Sequence, residues 1–201
     1  MIITSISYRL ALFWLAAAFL LTGCGATLPR LEVLADLPET PQCRVAIMPF
    51  VYPGDFPRGA VIVYKAFASE MAAVEGLEVV PEGDVRQLYR QLLLYPTDLP
   101  NEEQLRIMAR HLGAETVVVG EIQQMSEREA DVVNTELTLI INLHSGESGK
   151  LLWSTYHRRR GEEYRNVLHY GRVNSMSGLA RRMSAEILTT WIDNGMKQCT
   201  K

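Results

Sequence analysis

The hydrophobic pattern of this chain changes its period along the sequence, and this change most constrains the fold. In the first half, short apolar runs alternate with segments in which apolar residues recur every three or four positions, as they do in helices. In the second half, three strand patterns follow one another. Strand–helix–strand units give parallel pairs and consecutive strands give antiparallel pairs. The order therefore predicts a single α/β domain with a mixed sheet of about five strands flanked by helices.

Turn and capping residues place the predicted elements along the chain. Asn101 with Gln104 has the pattern of a capping box, and Gly113 has the position of a left-handed helix stop. A charged turn is predicted over 126–130, before a strand that begins at Val133. The predicted strands are 44–50, 77–80, 116–122, 133–143 and 151–156, and the predicted helices are 59–74, a second one capped by Asp84, 101–112, and a last one capped by Ser175 or Ser177 and ended by Gly195.

The first 23 residues have the order of a secretory signal. A polar start with one positive charge, Arg9, precedes the apolar run 10–21. This run is shorter than the ~20 apolar residues that a bilayer-spanning helix needs. The following Leu-Thr-Gly-Cys resembles the lipobox of bacterial lipoproteins, which implies removal of residues 1–23 and acylation of Cys24. The alternatives are an ordinary signal peptide, or an anchor helix, with an incidental cysteine.

The residue after Cys24 is Gly25 rather than Asp, which in the lipoprotein sorting pattern resembles delivery to the outer membrane. We therefore expect a lipid-anchored protein on the periplasmic face of that membrane. Residues 24–42 contain three prolines and no sustained periodicity, so we interpret them as the lipidated N-terminus and tether of a domain over 43–201. So short a tether keeps the domain close to the membrane.

The charge of the chain gives no electrostatic reason to expect nucleic acid or anionic lipid as a partner. The full sequence has 20 Lys and Arg against 23 Asp and Glu. Without the signal the balance is 19 − 23, or −4, because only Arg9 is lost. Attachment to the membrane is therefore expected through the acyl chains, and several acyl chains hold far more firmly than one.

Two further cysteines remain, Cys43 before the first strand of the domain and Cys199 near the C-terminus. An exported protein meets an oxidising compartment, so the two cysteines that remain after Cys24 favour a disulfide between them. In the chain-entropy view, a bridge that closes so long a loop stabilises the fold by about 5 kcal/mol at most. Two free thiols, or a bridge between subunits, are the alternatives.

The first predicted helix is apolar around most of its circumference. Val61, Ile62 and Tyr64 point away from its core stripe. A helix of this kind is buried on more than one side. Two interpretations stand: the helix is enclosed within its own domain, or these three residues form a contact between subunits of a homo-oligomer.

The strongest charge cluster is formed by Arg158, Arg159 and Arg160, after the last predicted strand. Guanidinium groups at this density can bind an anionic polymer, lipid head groups or an acidic partner. The interpretation that we favour is structural, with the arginines paired to Glu162, Glu163 or a neighbouring subunit. We do not expect nucleic acid as a partner, because few aromatic residues are interleaved with the basic ones.

No catalytic residues, metal ligands or cofactors are predicted. The four histidines have neither the H-x-x-x-H nor the H-E-x-x-H spacing of a zinc site, and the sequence has no G-x-S-x-G elbow for a serine nucleophile. Segment 146–150 ends in Gly-Lys but lacks the first glycine and the hydroxyl residue of a phosphate-binding loop. A non-enzymatic binding or scaffold role is therefore expected.

Three segments, in the same order, resemble one domain family. Residues 45–50, Val-Ala-Ile-Met-Pro-Phe, are similar to the opening of the domain found at the N-terminus of TolB and in CsgG, PelC, LpoB and FlgT. Residues 105–120, ending in Leu-Gly-Ala-Glu-Thr-Val-Val-Val-Gly, and residues 145–153 are similar to two later segments of that domain. The resemblance implies a TolB N-terminal-like fold, in envelope proteins that bind partners or build rings without catalysis.

Within this group, the chain length and the tether are most similar to those of PelC. The resemblance implies a ring-forming subunit of an envelope export or assembly complex, PelC- or CsgG-like, with an envelope protein or a polysaccharide as partner. The alternatives are an LpoB-like adaptor that activates a peptidoglycan synthase, and a flagellar ring component. The short tether weighs against the adaptor, because LpoB-like activators reach inner-membrane enzymes through long tethers.

Overall fold

The structure is a computed structural model and describes residues 28–54, 56, 58–128, 134–165, 170–197 and 199. The strands are β1 (Arg30–Val33), β2 (Arg44–Ile47), β3 (Glu78–Val79), β4 (Thr116–Arg128), β5 (Asn134–Ser145) and β6 (Leu151–Arg160). The helices are α1 (Gly59–Ala72), α2 (Glu82–Gln91), α3 (Glu102–Leu112) and α4 (Met176–Asp193), with a 3₁₀ helix at Gly161–Tyr164.

The six strands form one mixed sheet in the order β1-β6-β5-β4-β2-β3. β2 pairs in parallel with both β3 and β4, because α1 and then α2 with α3 provide the crossover connections. β4, β5 and β6 follow one another as an antiparallel meander, and β1 pairs antiparallel with β6. The predicted α/β class and mixed sheet are confirmed.

The sixth strand, β1, lies within the segment predicted to be a tether. It pairs with β6 between Tyr156 and Trp153. Leu31 is half-buried against the core, so β1 covers part of the open edge of β6. The tether prediction for 24–42 is therefore wrong over the 4 residues of β1. A strand this short leaves little periodicity in the sequence, because its position is set by the free edge that it covers.

Apolar side chains pack on both faces of the sheet. One face carries α1 and α4, whose Phe67 and Trp191 have ring centroids 6.0 Å apart. The other face carries α2 and α3, with Leu88 and Met108 buried among residues of β2 and β4. Burial of each such side chain contributes about 1.5–3 kcal/mol. The helices on the two faces hold the parallel half of the sheet in place. They thereby also position the start of each crossover helix.

The meander strands are longer than the sequence predicts. β4 continues to Arg128 and is still paired with β5 there, so the predicted turn over 126–130 is wrong in its first part. The rest of that turn and the predicted strand start Val133 lie outside the described residues. β6 extends to Arg160. The predicted strands stopped where polar residues begin, at Gln123 and His157, but cross-strand pairing continues beyond them.

The ends of α3 follow the predicted capping. The Asn101 side chain accepts from the backbone N–H of Gln104, and the Gln104 side chain accepts from the backbone N–H of Asn101, both at 2.9 Å. Gly113 ends the helix with a φ of 64°, which glycine adopts without the steric cost of a Cβ. Both predictions are confirmed.

The predicted caps of α4 and α2 differ in outcome. Ser175, one of the two predicted caps of α4, accepts a hydrogen bond from the backbone of Gly178 at 3.2 Å. Asp84 is not the cap of α2, because the helix begins earlier, at Glu82. Pro81, with a φ of −56°, already holds the backbone in the conformation that precedes a helix. Asp84 lies instead in the first turn, where its charge stabilises the helix dipole.

A disulfide joins Cys43 and Cys199, whose Cα atoms are 5.4 Å apart. The two cysteines are 156 residues apart in sequence. The backbone N–H of Cys199 donates to the carbonyl of Gly76 at 3.2 Å, and that of Gln42 donates to the carbonyl of Lys197 at 3.1 Å. The C-terminus is therefore tied to the start of β2 and to the turn that precedes β3.

Candidate functional site

A groove lies at the carboxyl end of β2, where the crossover connections diverge. From β2 the chain crosses one face of the sheet to β3, and from β3 it crosses the other face to β4. Such a switch point leaves a crevice between the crossover helices, and open α/β sheets bind ligands there. In this chain the crevice opens between the first turns of α1 and α2.

The groove has a volume of about 290 Å³ and a mainly apolar wall. Four segments contribute to it: the residues that follow β2, the first turns of α1 and α2, and the loop after α2. Its largest wall residues are Phe50, Tyr52, Phe56, Val61, Tyr64 and Pro96. A concave apolar surface with a few polar groups is the usual form of a binding site.

Phe50 forms the floor of the groove. Its ring centroid lies 5.9 Å from that of Tyr64, in an edge-on arrangement, and 5.6 Å from that of Phe67. Gly120 of β4 makes room for this ring, because a Cβ at that position would collide with it. Packing therefore fixes the floor, and the groove is preformed.

A small polar set lies at one side of the groove. Glu82 and Arg86, one turn apart on α2, form an ion pair at 2.6 Å. Burial and the charge of Glu82 raise the pKa of Tyr64 to about 12, against the lowering effect of Arg86. The Tyr64 hydroxyl is therefore neutral at physiological pH and can donate one hydrogen bond to a bound group.

The structure separates the three residues predicted for a subunit contact. Val61, which is 40% exposed, and the buried Tyr64 both line the groove. Ile62 is instead half-buried and packs against the core between α1 and α4. Val61 and Tyr64 thus belong to one apolar surface, whereas Ile62 has the position expected of a helix enclosed within its own domain.

Two of the segments that line the groove also carry exposed apolar side chains. Phe56 is exposed at its mouth. The loop after α2, which contributes Pro96 and Thr97 to the wall, also exposes Leu93 and Tyr95. Exposed apolar side chains grouped around a groove mark an interaction site more often than single scattered ones do.

The arginine cluster on β6 is the second candidate, and its central arginine is buried. Arg159 donates two hydrogen bonds to Glu186 of α4, at 2.9 and 3.1 Å, and lies 3.3 Å from Glu163. The buried His157 contacts the same Glu186 carboxylate through Nε2 at 2.5 Å. Burial raises the pKa of Glu186, but hydrogen bonds from His157 and Arg159 outweigh that effect and hold the pKa below its usual value.

The other two arginines pair at the surface. Arg158 lies 2.5 Å from Glu136, and Arg160 lies 3.7 Å from Glu136 and 3.8 Å from Glu162. Each of these two guanidinium groups therefore has a carboxylate partner in the same chain. The arrangement favours the structural interpretation of the cluster. The ionic network consists of Glu136, His157, Arg158, Arg159, Arg160, Glu162, Glu163 and Glu186.

Sequence reasoning anticipated Glu162 and Glu163 but missed Glu136 and Glu186 as partners. Both missed carboxylates are distant in sequence, with Glu186 27 residues from Arg159. The alternating pattern of β5 does place Glu136 on the polar face of that strand, and register with β6 then brings it opposite Arg160. No comparable signal in the sequence indicates Glu186.

Neither Cys43 nor Cys199 lines the groove or belongs to the ionic network. Cys24 falls outside the described residues, and Cys43 and Cys199 are joined in the disulfide. Within the described ranges, no group of three or more His, Cys, Asp or Glu side chains is placed to hold a metal ion. No helix in the same part of the chain is long and apolar enough to cross a membrane.

Comparison with known proteins places the fold. No family model matches the chain, and no match is found among curated proteins. A PelC dodecamer from Paraburkholderia phytofirmans is 12% identical over 86% of this chain and 100% of that one, with a TM-score of 0.55. A variant PelC dodecamer from the same organism is 14% identical over 80% and 96%, with a TM-score of 0.53.

A third solved structure shares the architecture. Lipoprotein GNA1162 from Neisseria meningitidis is 19% identical over 76% of this chain and 99% of that chain, with a TM-score of 0.50. At these identities the likeness concerns the fold alone. The chain therefore has a PelC-like α/β fold, as the short sequence resemblance implies.

Proposed function

We propose that the chain is a non-enzymatic, lipid-anchored subunit of an envelope export or assembly complex, held at the periplasmic face of the outer membrane, and that it works as a ring-forming homo-oligomer. The observation that carries this proposal is the preformed apolar groove beside α1, with Phe56 and Val61 exposed at its mouth. Covering such a surface with a partner removes apolar area from water, which favours association.

The similar structures support the proposal at two points. The two PelC structures are dodecamers, and GNA1162 is a lipoprotein. Assembly of many copies of one chain needs a surface on each copy that another copy covers. The groove supplies one such surface in this chain.

The position of β1 supports a role at the membrane to which the chain is anchored. Arg30, the first residue of β1, follows Cys24 by only six residues, which span ~20 Å when fully extended. An acylated Cys24 therefore keeps the sheet beside its own membrane. This short reach favours a ring that lies on that membrane over an adaptor that must reach an enzyme in another one.

An adaptor that activates a peptidoglycan synthase, or a flagellar ring component, is the alternative function. In the adaptor, a segment of a different envelope protein fills the groove, and the chain itself is a monomer. The groove supports this contact as well, because a peptide with apolar side chains fits a concave apolar surface. The oligomeric state of the isolated chain therefore separates the two functions.

The anchor is tested by expressing the full chain in a Gram-negative host and analysing its N-terminus by mass spectrometry. We expect a peptide that begins with triacylated Cys24, recovered from the outer-membrane fraction. The Cys24→Ser variant should lack the modification and leave that fraction. An unmodified N-terminus in the wild-type chain would overturn the anchor.

The assembly is tested by sedimentation equilibrium of the detergent-purified chain at tens of micromolar. We expect a mass of several chains. The mass of one chain, with the disulfide intact, would overturn the homo-oligomer, and capture of a peptidoglycan synthase by that monomer would establish the adaptor.

A further inference from the structure

Exposed apolar residues of the described chain concentrate at two opposite ends of the sheet. The groove face, beyond the carboxyl end of β2, consists of the groove and of the exposed side chains of Phe56, Val61, Leu93, Tyr95 and Leu99. The β1 flank, at the other end, consists of residues 28–39, in which the large exposed apolar side chains are Leu28, Val33 and Leu34. Eight of the eleven large exposed apolar side chains of the described residues lie at these two ends.

One row of paired residues connects the two ends at the same height along the strands. Arg30 of β1 lies opposite Tyr156, Tyr156 opposite Ile140, and Ile140 opposite Glu121. Glu121 in turn forms a bridge with Val51, a wall residue of the groove. Four strand spacings separate the ends, which is ~19 Å. A neighbouring copy placed beside the sheet at the same height would therefore bring its β1 flank to the groove face.

The charges of the two ends are complementary. In the β1 flank, Arg30 stands against Glu32, Asp36 and Glu39, a balance of 1 − 3, or −2. The groove face has Arg58 and Lys65 at the start of α1, the ion pair of Glu82 and Arg86 on α2, and Asp98 in the loop after α2, a balance of 3 − 2, or +1. All of these charged residues at the two ends are exposed except Glu82, which is half-buried. Opposite charges around an apolar contact align the partners and reject wrong ones.

We propose that the groove face of one copy receives the β1 flank of the next copy, so that the copies join head to tail. This inference rests on the proposed homo-oligomer and names its contact. The groove face and the β1 flank are different surfaces, so the contact is heterologous, and contacts of this type close into rings when the rotation between copies allows it.

The head-to-tail contact also agrees with the proposed anchor. Copies related by rotation about an axis parallel to the strands keep every β1 pointing the same way. The short segment between Cys24 and β1 then leaves each copy on the same side of the assembly, where one membrane can hold all of the acyl chains. The short segment between Cys24 and β1 is therefore long enough for this contact.

The test uses the full chain in detergent with one disrupted end at a time. Val61→Asp places a charge in the groove face, and Leu34→Asp places one in the β1 flank. Ile192→Asp is the matched control for Val61→Asp, because Ile192 on α4 is 38% exposed against 40% for Val61. Leu93→Asp, at a loop position that is 86% exposed, repeats the groove test with a variant that removes no buried side chain. Circular dichroism establishes that each variant is folded.

The masses of the variants, alone and mixed, decide the proposal. We expect Val61→Asp, Leu93→Asp and Leu34→Asp each to have the mass of one chain, and Ile192→Asp to keep the wild-type mass. A mixture of Val61→Asp with Leu34→Asp should form a dimer and nothing larger, because each variant retains the end that the other has lost.

Two different failures can be told apart. If the folded variants keep the wild-type mass, or if their mixture stays monomeric, the head-to-tail contact is wrong while the homo-oligomer stands. If the wild-type chain itself has the mass of one chain at tens of micromolar, both the contact and the proposed homo-oligomer are overturned.

Discussion

The groove face and the ionic network differ in whether their side chains find partners within the same chain. In the ionic network, Glu186 accepts hydrogen bonds from Arg159 and contacts His157, and the outer arginines pair with carboxylates of the same chain. In the groove face, Phe56 and Val61 are left exposed beside a preformed apolar surface. Each arginine of the network has a carboxylate partner in the same molecule, whereas the groove face leaves apolar side chains exposed.

On the proposed function, this difference separates residues that stabilise the fold from residues that bind a partner. From the sequence alone, a charge cluster such as 157–160 suggests a functional site. In the structure, its buried residues His157 and Arg159 connect β6 to α4 through Glu186. An apolar helix such as α1 suggests a purely structural role, yet one side of α1 lines the groove. Substitutions in the network should therefore change stability, and substitutions in the groove face should change association.

Glu186→Ala should have the largest effect on stability. The substitution leaves Arg159 and the buried His157 without their carboxylate, and loss of one partner of a buried pair costs about 3–5 kcal/mol. We expect the free energy of unfolding in urea at pH 7 to fall by about 3 kcal/mol. Glu162→Ala removes an exposed partner of Arg160 and should cost about 0–1 kcal/mol. Equally small losses in both variants would contradict a buried network.

Gly120→Val should have the next largest effect, because it disturbs the floor of the groove. The added side chain collides with Phe50, and overpacking of this kind costs about 1–3 kcal/mol. Gly83→Ala is the control: a Cβ at Gly83 in α2 meets no atom, and the better helix propensity of alanine stabilises by up to about 1 kcal/mol. Thermal unfolding of both variants measures the difference. A Gly120→Val variant as stable as the wild type would mean that the floor is not fixed by packing.

Acidic pH should lower the free energy of unfolding through the ionic network, by less than the two substitutions above. The pKa of Glu186 is lower in the folded chain than its usual value of 4.5, despite burial, because His157 and Arg159 favour the carboxylate. Glu186 therefore contributes stability above pH 4.5, and this contribution is lost as the pH falls through the lower folded pKa. Urea unfolding between pH 7 and pH 3 should show a steeper loss for the wild type than for Glu186→Gln. Parallel losses in these two proteins would remove Glu186 from the acid response.

Val61→Ser should have the smallest effect on stability. The side chain is partly exposed, and such substitutions usually change the free energy of unfolding by about 0.5 kcal/mol or less. The same substitution removes apolar surface from the groove face and should weaken association of the copies, as measured by dilution in sedimentation experiments. A large loss of stability with unchanged association would reverse the assignment of Val61 from the interface to the core.

The sequence predicted those parts of the fold that depend on neighbouring residues. The capping box of Asn101, the left-handed Gly113 and the order of strands and helices all follow from local patterns. β1 was missed because it is held by pairing with β6 rather than by a pattern of its own. Glu186 was missed for the same reason, since only the packing of α4 on β6 brings it to Arg159.

The candidate site was predicted in part: residues close together on one helix were indicated, and residues from distant segments were not. Val61 and Tyr64 were indicated because they lie on one helix whose apolar surface is too wide for a single core. Phe56 and Pro96 belong to loops, where no periodicity reports burial, and they reach the groove only through the fold. The groove itself needs four segments and is therefore a property of the tertiary structure.

Hydroxyl-radical footprinting at two concentrations of the full chain in detergent tests most directly whether the groove face is an interface. Phe56 and Tyr95 report on the groove face, and Tyr170, which is 75% exposed and lies outside that face and the β1 flank, is the control. The predicted result is protection of Phe56 and Tyr95 at high concentration with unchanged oxidation of Tyr170. Equal oxidation of Phe56 and Tyr95 at both concentrations, in a sample whose mass shows assembly, would contradict the assignment of the groove as the surface that a second copy covers.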